Sequence, residues 1–278
     1  MRDRKDGVLL KDPDPFHSIV PYIMPKRTES EVSITEYFDV TELNKYIKKR
    51  KKQGDNIKLF HCVCTAFSRT IYHRNKLNIF ISGRRYYQRK DITLSFVAKQ
   101  HFSDEAVETL MFLKVLPDMN LDDISRIILG DVDKARTSGT NDLDKTMEFV
   151  GKLPRPILEL IFFIVRRLEY HGIVPESLKK GDPNYSTCLL SNLGSIKSAS
   201  CYHHLSNYGT CSMMVTIGKM ETNHLTGKDT LPMTFTIDER IADGFYFAKS
   251  LRIVKYILAN PETLLEKISD PIPSDLFD

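Results

Sequence analysis

The chain has 278 residues, of which 41% are hydrophobic and 27% charged, the balance of an ordinary globular protein rather than a disordered, collagenous or coiled-coil chain. Lysine and arginine total 40 against 36 aspartates and glutamates, a formal charge of +4, which excludes the strong basicity of a dedicated nucleic-acid binder and leaves room only for local basic patches. The charged N-terminus lacks the apolar core of a signal peptide, which points to a cytoplasmic protein, and the longest apolar run, Ile157 to Val165, falls short of the ~20 residues of a membrane span.

Residues 1–29 carry many charges with Pro13, Pro15, Pro21 and Pro25, a composition read as an extended arm lying on a surface. Residues 30–278 are read as one domain. Val32, Ile34 and Phe38 mark a strand, and Val40, Leu43 and Ile47 then recur at helical spacing up to the basic run Lys48-Lys49-Arg50-Lys51-Lys52, closed by Gly54. Phe60, Val63, Phe67 and Ile71 mark a second helix. It carries His61-Cys62-Val63-Cys64, which has metal-like spacing, but two such cysteines on a helix do not face one way. The five cysteines are odd in number and include no Cys-x-x-Cys, so they read as free thiols, with no metal site.

Ile92, Leu94, Phe96 and Ala98 alternate as in a half-buried strand, and Val107, Met111, Leu113 and Val115 continue the sheet. A helix follows Asn120 through Leu121, Ile124, Ile128 and Val132. Another runs from Pro156 to Gly172, and from Ile157 to Leu168 it is apolar on nearly all sides, ending in Arg166-Arg167. Such a helix is normally buried; a peripheral membrane contact, an acyl-chain pocket and an oligomer interface are the alternatives. Strands are expected near Thr187–Asn192, Ser212–Ile217 and Met233–Ile237, and a helix from Gly244 to Leu258, stopped by Asn260-Pro261 before a short turn at Leu264-Leu265.

The chemistry-bearing segment is Thr236-Ile237-Asp238-Glu239-Arg240-Ile241-Ala242-Asp243-Gly244, where a strand ends in a charged turn that opens a helix. Taken alone it reads as a solvated turn in which Asp243 caps the helix. It also resembles the Asp-His-Arg-x-x-Asp-Gly signature of the acyltransferase component of 2-oxo acid dehydrogenase complexes, in the superfamily that includes chloramphenicol acetyltransferase. Downstream, Leu258-Ala259-Asn260-Pro261 resembles that family's helix ending. Upstream, Leu190-Ser191-Asn192-Leu193-Gly194 resembles its Ser-Asn-Leu-Gly turn, with Val215-Thr216-Ile217-Gly218 in place of its apolar strand ending in glycine.

The resemblance implies an α/β two-layer sandwich of chloramphenicol acetyltransferase type, with a mixed sheet and helices packed on one face. It further implies a homotrimer with its active site between subunits, and coenzyme A as the thioester substrate. In the family the motif histidine takes the proton of a thiol and the serine hydrogen-bonds the oxyanion, demands set by a thiol pKa of ~8.5 and by an oxyanion donor worth ~3–4 kcal/mol. Ser191, Arg240 and Asp243 match residue by residue as oxyanion donor and turn organisers, while Glu239 stands at the histidine position. Thiol deprotonation is uphill by ~4 pKa units for an ordinary glutamate and ~2 for histidine, so Glu239 needs a raised pKa or a different acceptor. His204, in Cys201-Tyr202-His203-His204, is the candidate substitute base.

Asn192 and Gly194 of the serine turn and the cations Arg85 and Arg89 are the candidate coenzyme A contacts, with Tyr86 and Tyr87 available to stack an adenine; Lys48–Lys52 is a second basic candidate. No lipoyl or subunit-binding domain has room before the resembling region, so no lipoyl group is expected on this chain. The expected partners are a small acyl-coenzyme A and an acceptor, with neither nucleic acid nor membrane among them. A catalytically inactive trimer that keeps the fold as a binding or scaffolding module is the competing class.

Overall fold

Met233, Phe235 and Ile237 alternate with Thr234 and Thr236, and in the computed structural model this alternation divides a sheet into an apolar face and a threonine-rich one. The structure describes residues 3–11, 14–99, 108–138, 150–179 and 181–277. Among them the strands are β1 (Gly7–Leu9), β2 (Glu31–Asp39), β3 (Ile79–Ser82), β4 (Arg85–Arg89), β5 (Ile92–Lys99), β6 (Glu108–Val115), β7 (Cys188–Asn192), β8 (Met213–Ile217), β9 (Glu221–Thr222) and β10 (Asp229–Asp238). The helices are α1 (Pro15–Ile23), α2 (Thr41–Lys52), α3 (Leu59–His73), α4 (Leu121–Ser138), α5 (Arg155–His171), α6 (Glu176–Lys179) and α7 (Gly244–Ala259).

The main sheet has the order β2-β10-β8-β7-β5-β6, with β9 beside β10. It is mixed: β5, β7 and β8 run parallel to one another, whereas β2, β6 and β10 pair antiparallel to their neighbours. Parallel neighbours require crossovers, and between the parallel pair β5 and β7 the chain passes through β6, α4, α5 and α6. On the apolar face Leu43, Val63, Phe67, Ile124, Val254 and Ile257 of α2, α3, α4 and α7 pack against Leu94, Leu190, Val215 and Phe235 to form one core. That is the two-layer arrangement expected. On the opposite face hydroxyl pairs replace packing: Thr35 with Thr234 and Ser33 with Thr236, each at 2.9 Å.

Three features depart from the sequence reading. The arm of residues 1–29 is not simply extended: β1 pairs with β4, and α1 begins at Pro15 because Asp14 Oδ1 accepts from the amides of Phe16 and His17 at 3.0 and 3.1 Å, an N-cap and first-turn proline combination. The β3–β4 hairpin was not expected. It turns through Gly83 (φ 56°) and Arg84 (φ 61°), the two left-handed residues of a tight hairpin, here with an arginine where asparagine or glycine is usual. Finally, α5 lies on the surface with no residue of the helix buried. Met111, Leu113 and Val115 lie in β6 as expected, and Val107, expected to share that strand, lies outside the described residues.

Candidate active site

The turn after β10 is built on a buried ion pair. Arg240 donates to Asp238 twice, Nε to Oδ1 at 2.8 Å and Nη2 to Oδ2 at 2.6 Å, and the Arg240 amide adds a third bond at 3.2 Å. Ser30 Oγ donates to the same carboxylate at 3.0 Å, and Arg240 Nη1 donates to the Met24 carbonyl at 2.7 Å. A desolvated pair is tolerable only when its remaining donors and acceptors are satisfied in this way. With Asp238 and Arg240 both turned inward, Glu239 between them is turned out to solvent, its amide donating to Ser30 O at 2.9 Å. Asp243 then caps α7, accepting from the Tyr246 amide at 2.8 Å. The arginine's partner is therefore Asp238, the first residue of the motif, while Asp243 organises the helix start.

His204 comes to the same place from a loop that crosses the polar sheet face. Thr234 bonds Ser200 Oγ at 3.0 Å, and Thr216 Oγ1 donates to Cys201 O at 2.6 Å, fixing the loop across β10 and β8. The loop ends on β2, where Glu31 holds His204 Nδ1 at 2.8 Å and accepts from the Leu205 amide at 2.8 Å. Glu31 is the register partner of Asp238, so His204, Glu31 and Glu239 gather at one end of the β2–β10 pair. A carboxylate on Nδ1 orients an imidazole and leaves Nε2 to exchange a proton. Glu31 and Asp238 were not singled out from sequence. Asp238 carried a signal, being the first residue of the motif; Glu31 carried none, because its partner is 173 residues away.

Ser191 lies elsewhere. It is the last residue but one of β7, in register with Thr216 of β8, which is in register with Thr234 of β10. Glu239 lies five residues beyond Thr234, so it is about 16 Å away along the strands and two strand spacings, about 10 Å, across the sheet. One chain thus keeps the serine turn and the motif turn at opposite ends of its sheet. The serine turn is tightly seated: a Cβ on Gly194 would meet Gly218 O at 2.4 Å, and Ser195 Oγ bonds Asn192 O at 2.7 Å. This close backbone approach is what the glycine permits.

Of the candidate phosphate contacts, Arg85 is exposed beside the hairpin turn. Arg89 is buried, donating to Tyr185 O at 3.0 Å and to Thr210 O at 2.6 Å, with its guanidinium over the Phe80 ring. Tyr86 and Tyr87 are buried as well, Tyr87 being stacked on Phe80. The Lys48–Lys52 run leaves its four lysines exposed, while Arg50 is engaged by Asp55 and Asp122. Cys62 and Cys64 are buried in α3, where burial pushes the Cys62 thiol up to about 12.

No family model and no curated protein matches the chain. Solved structures do. A probable dihydrolipoamide acetyltransferase from Listeria monocytogenes superposes with a TM-score of 0.59 at 15% identity, covering 90% of this chain and 95% of that one. The Azotobacter vinelandii dihydrolipoamide acetyltransferase, studied for the role of a serine, a histidine and an asparagine in its mechanism, gives 0.59 at 12% identity over 92% and 94%. A chloramphenicol acetyltransferase gives 0.57 at 13% identity over 89% and 96%. At these identities the likeness is one of fold: the chain has the chloramphenicol acetyltransferase-type acyltransferase fold.

Proposed function

We propose that the protein is a coenzyme A-dependent acyltransferase working as a homotrimer, with each site assembled from two chains. The observation that carries this reading is the motif turn: a buried Asp238–Arg240 pair presents Glu239 outward beside a His204 already oriented by Glu31. The serine turn at the far end of the same sheet supports an intermolecular site, because Ser191 reaches a motif turn only if a neighbouring chain brings its own. Exposed in its own chain, Glu239 also lacks the desolvation that a carboxylate base needs, and a neighbour's surface would supply it.

In this reading His204 Nε2 takes the proton of the acceptor thiol, amine or alcohol as its heteroatom attacks the thioester carbonyl. The Ser191 hydroxyl of the neighbouring chain donates to the carbonyl oxygen as it gains negative charge. The carbon–sulfur bond then breaks, and the proton passes to the departing thiolate. Glu239 stands at the position of the family's histidine and is the second candidate for the base. Arg85, Asn192 and Gly194 are the proposed contacts for coenzyme A. Buried Arg89 serves by holding β4 to the Tyr185 and Thr210 loops.

The test is thiol release from a panel of acyl-coenzyme A thioesters with mixed acceptors, in wild type, Ser191→Ala, His204→Ala and Glu239→Gln. Turnover that falls at least tenfold in Ser191→Ala and His204→Ala supports the assignment. Loss only in Glu239→Gln transfers the base to Glu239. Absence of turnover and of coenzyme A binding in every protein replaces the enzyme reading with the scaffold.

A further inference from the structure

Helix α5 carries a long apolar run, yet among the described residues its outward side chains stay uncovered: Phe163 is 68% exposed and Leu160 57%, with Ile157 and Ile164 also exposed. Its inner side is firmly attached. Glu169 pairs with Arg4 at 2.9 Å and accepts from Ser82 Oγ, and Phe162 meets the Tyr208 ring edge-on. The outward face is therefore fixed in place. Helix α1 repeats the pattern, with Phe16 at 69% and Ile23 at 68% exposed.

The ends of the two helices line one cavity of about 320 Å³, α5 through Arg166 and Tyr170 and the α1 end through Pro21. The same cavity is lined by Arg84, whose guanidinium lies 4.8 Å from the Tyr22 ring of α1, by Arg27, which is buried and donates to the Ser206 and Ile81 carbonyls, by Arg240 of the motif turn, and by one acid, Glu169, which is paired with Arg4. Arg167 adds a charge on α5, and Glu159 is the one exposed acid on that helix. Exposed apolar helices bordered by arginines match the two layers of an anionic membrane surface, acyl chains for the aromatic and aliphatic side chains and phosphates for the guanidiniums.

We infer that the α1–α5 face docks this protein on membranes rich in anionic phospholipid, with the arginine-lined cavity receiving a lipid phosphate. No helix among the described residues is long and apolar enough to cross a membrane, so the contact is peripheral. The cavity adjoins the motif turn through Arg240, but the test reads vesicle binding and no acyl transfer, so it succeeds or fails apart from the proposed activity.

The chain contains no tryptophan, so Phe163→Trp makes a single fluorescent reporter on the proposed face. Co-sedimentation of the full chain with phosphatidylcholine vesicles, with and without phosphatidylglycerol, is measured beside its emission. The expected result is a blue shift on the phosphatidylglycerol vesicles and binding at least about tenfold tighter than to phosphatidylcholine alone. Arg166→Glu/Arg167→Glu should lose that preference. Leu160→Asp/Phe163→Asp should lose binding while keeping the wild-type circular dichroism spectrum, both side chains being exposed. Failure of the wild type to bind either vesicle overturns the inference. So does unchanged binding by Leu160→Asp/Phe163→Asp, or a smaller solution mass of that variant without any vesicle binding by the wild type, which would make the face a contact between copies.

Discussion

Replacing Asp238 by Asn keeps the shape of the motif turn and removes one charge from its buried pair. The Asp238 and Arg240 side chains are 0% and 2% exposed, so the guanidinium left behind is largely shielded from water: it keeps a neutral amide oxygen and the Met24 carbonyl as acceptors, while its Nη2 loses its carboxylate partner to an amide NH2. Losing one partner of such a pair costs about 3–5 kcal/mol, which for a chain of this size lowers the melting midpoint by on the order of 10 °C. Arg240→Met should cost a similar amount. The double variant Asp238→Asn/Arg240→Met removes both charges, and its loss should fall short of the sum of the single losses by about 1–3 kcal/mol. Urea denaturation of the four proteins measures the cycle. A loss below about 1 kcal/mol for Asp238→Asn, or additive single and double losses, would refute the claim that this pair holds the turn.

Other consequences are equally concrete. His61 is buried against Ser125 Oγ at 2.7 Å, and burial together with the Lys58 charge lowers its pKa to about 4. The unfolded chain therefore binds a proton that the folded one refuses, and stability should fall by up to about 3 kcal/mol between pH 6.5 and 4; His61→Gln should flatten that part of a melting-temperature profile. Burial alone would raise Asp6, but the hydrogen bond and charge of Arg4, with Lys179, hold it below the usual carboxylate range. Its contribution is present above about pH 4 and lost below it, so limited proteolysis in acid should cut the N-terminal arm first. Gly194→Ala drives a Cβ to 2.4 Å from Gly218 O; it should destabilise by about 1–3 kcal/mol and reduce turnover by displacing Ser191, visible as a fall in kcat.

The regular elements that bury one face were legible because their periodicity is the burial pattern itself: Met233, Phe235 and Ile237 announce β10, and Val63, Phe67 and Ile71 announce α3. The hairpin of β3 and β4 was hidden by Arg84 in a left-handed conformation and by tyrosines that read as ligand contacts but are packed inside. The order of the serine and aspartate motifs revealed the fold. It could not place them in space, since that depends on β7 and β10 running in opposite directions, a property of the topology rather than of either motif. Glu31 was invisible for a related reason: β2 meets the His204 loop only in the folded sheet. Arg89 shows the converse, a charged residue in a basic cluster whose guanidinium faces two carbonyls inside the protein.

The central claim is that Ser191 and the motif turn meet only across chains. Ser191→Ala and the double variant His204→Ala/Glu239→Gln disable opposite ends of the sheet, so neither should turn over thioester alone. After the two are unfolded together and refolded as mixed trimers, about a quarter of the sites combine an intact serine turn with an intact motif turn. The thiol-release rate should then recover to about a quarter of wild type. A mixture as inactive as its parts, beside a wild type that is active at a mass of one chain, would contradict the intermolecular site.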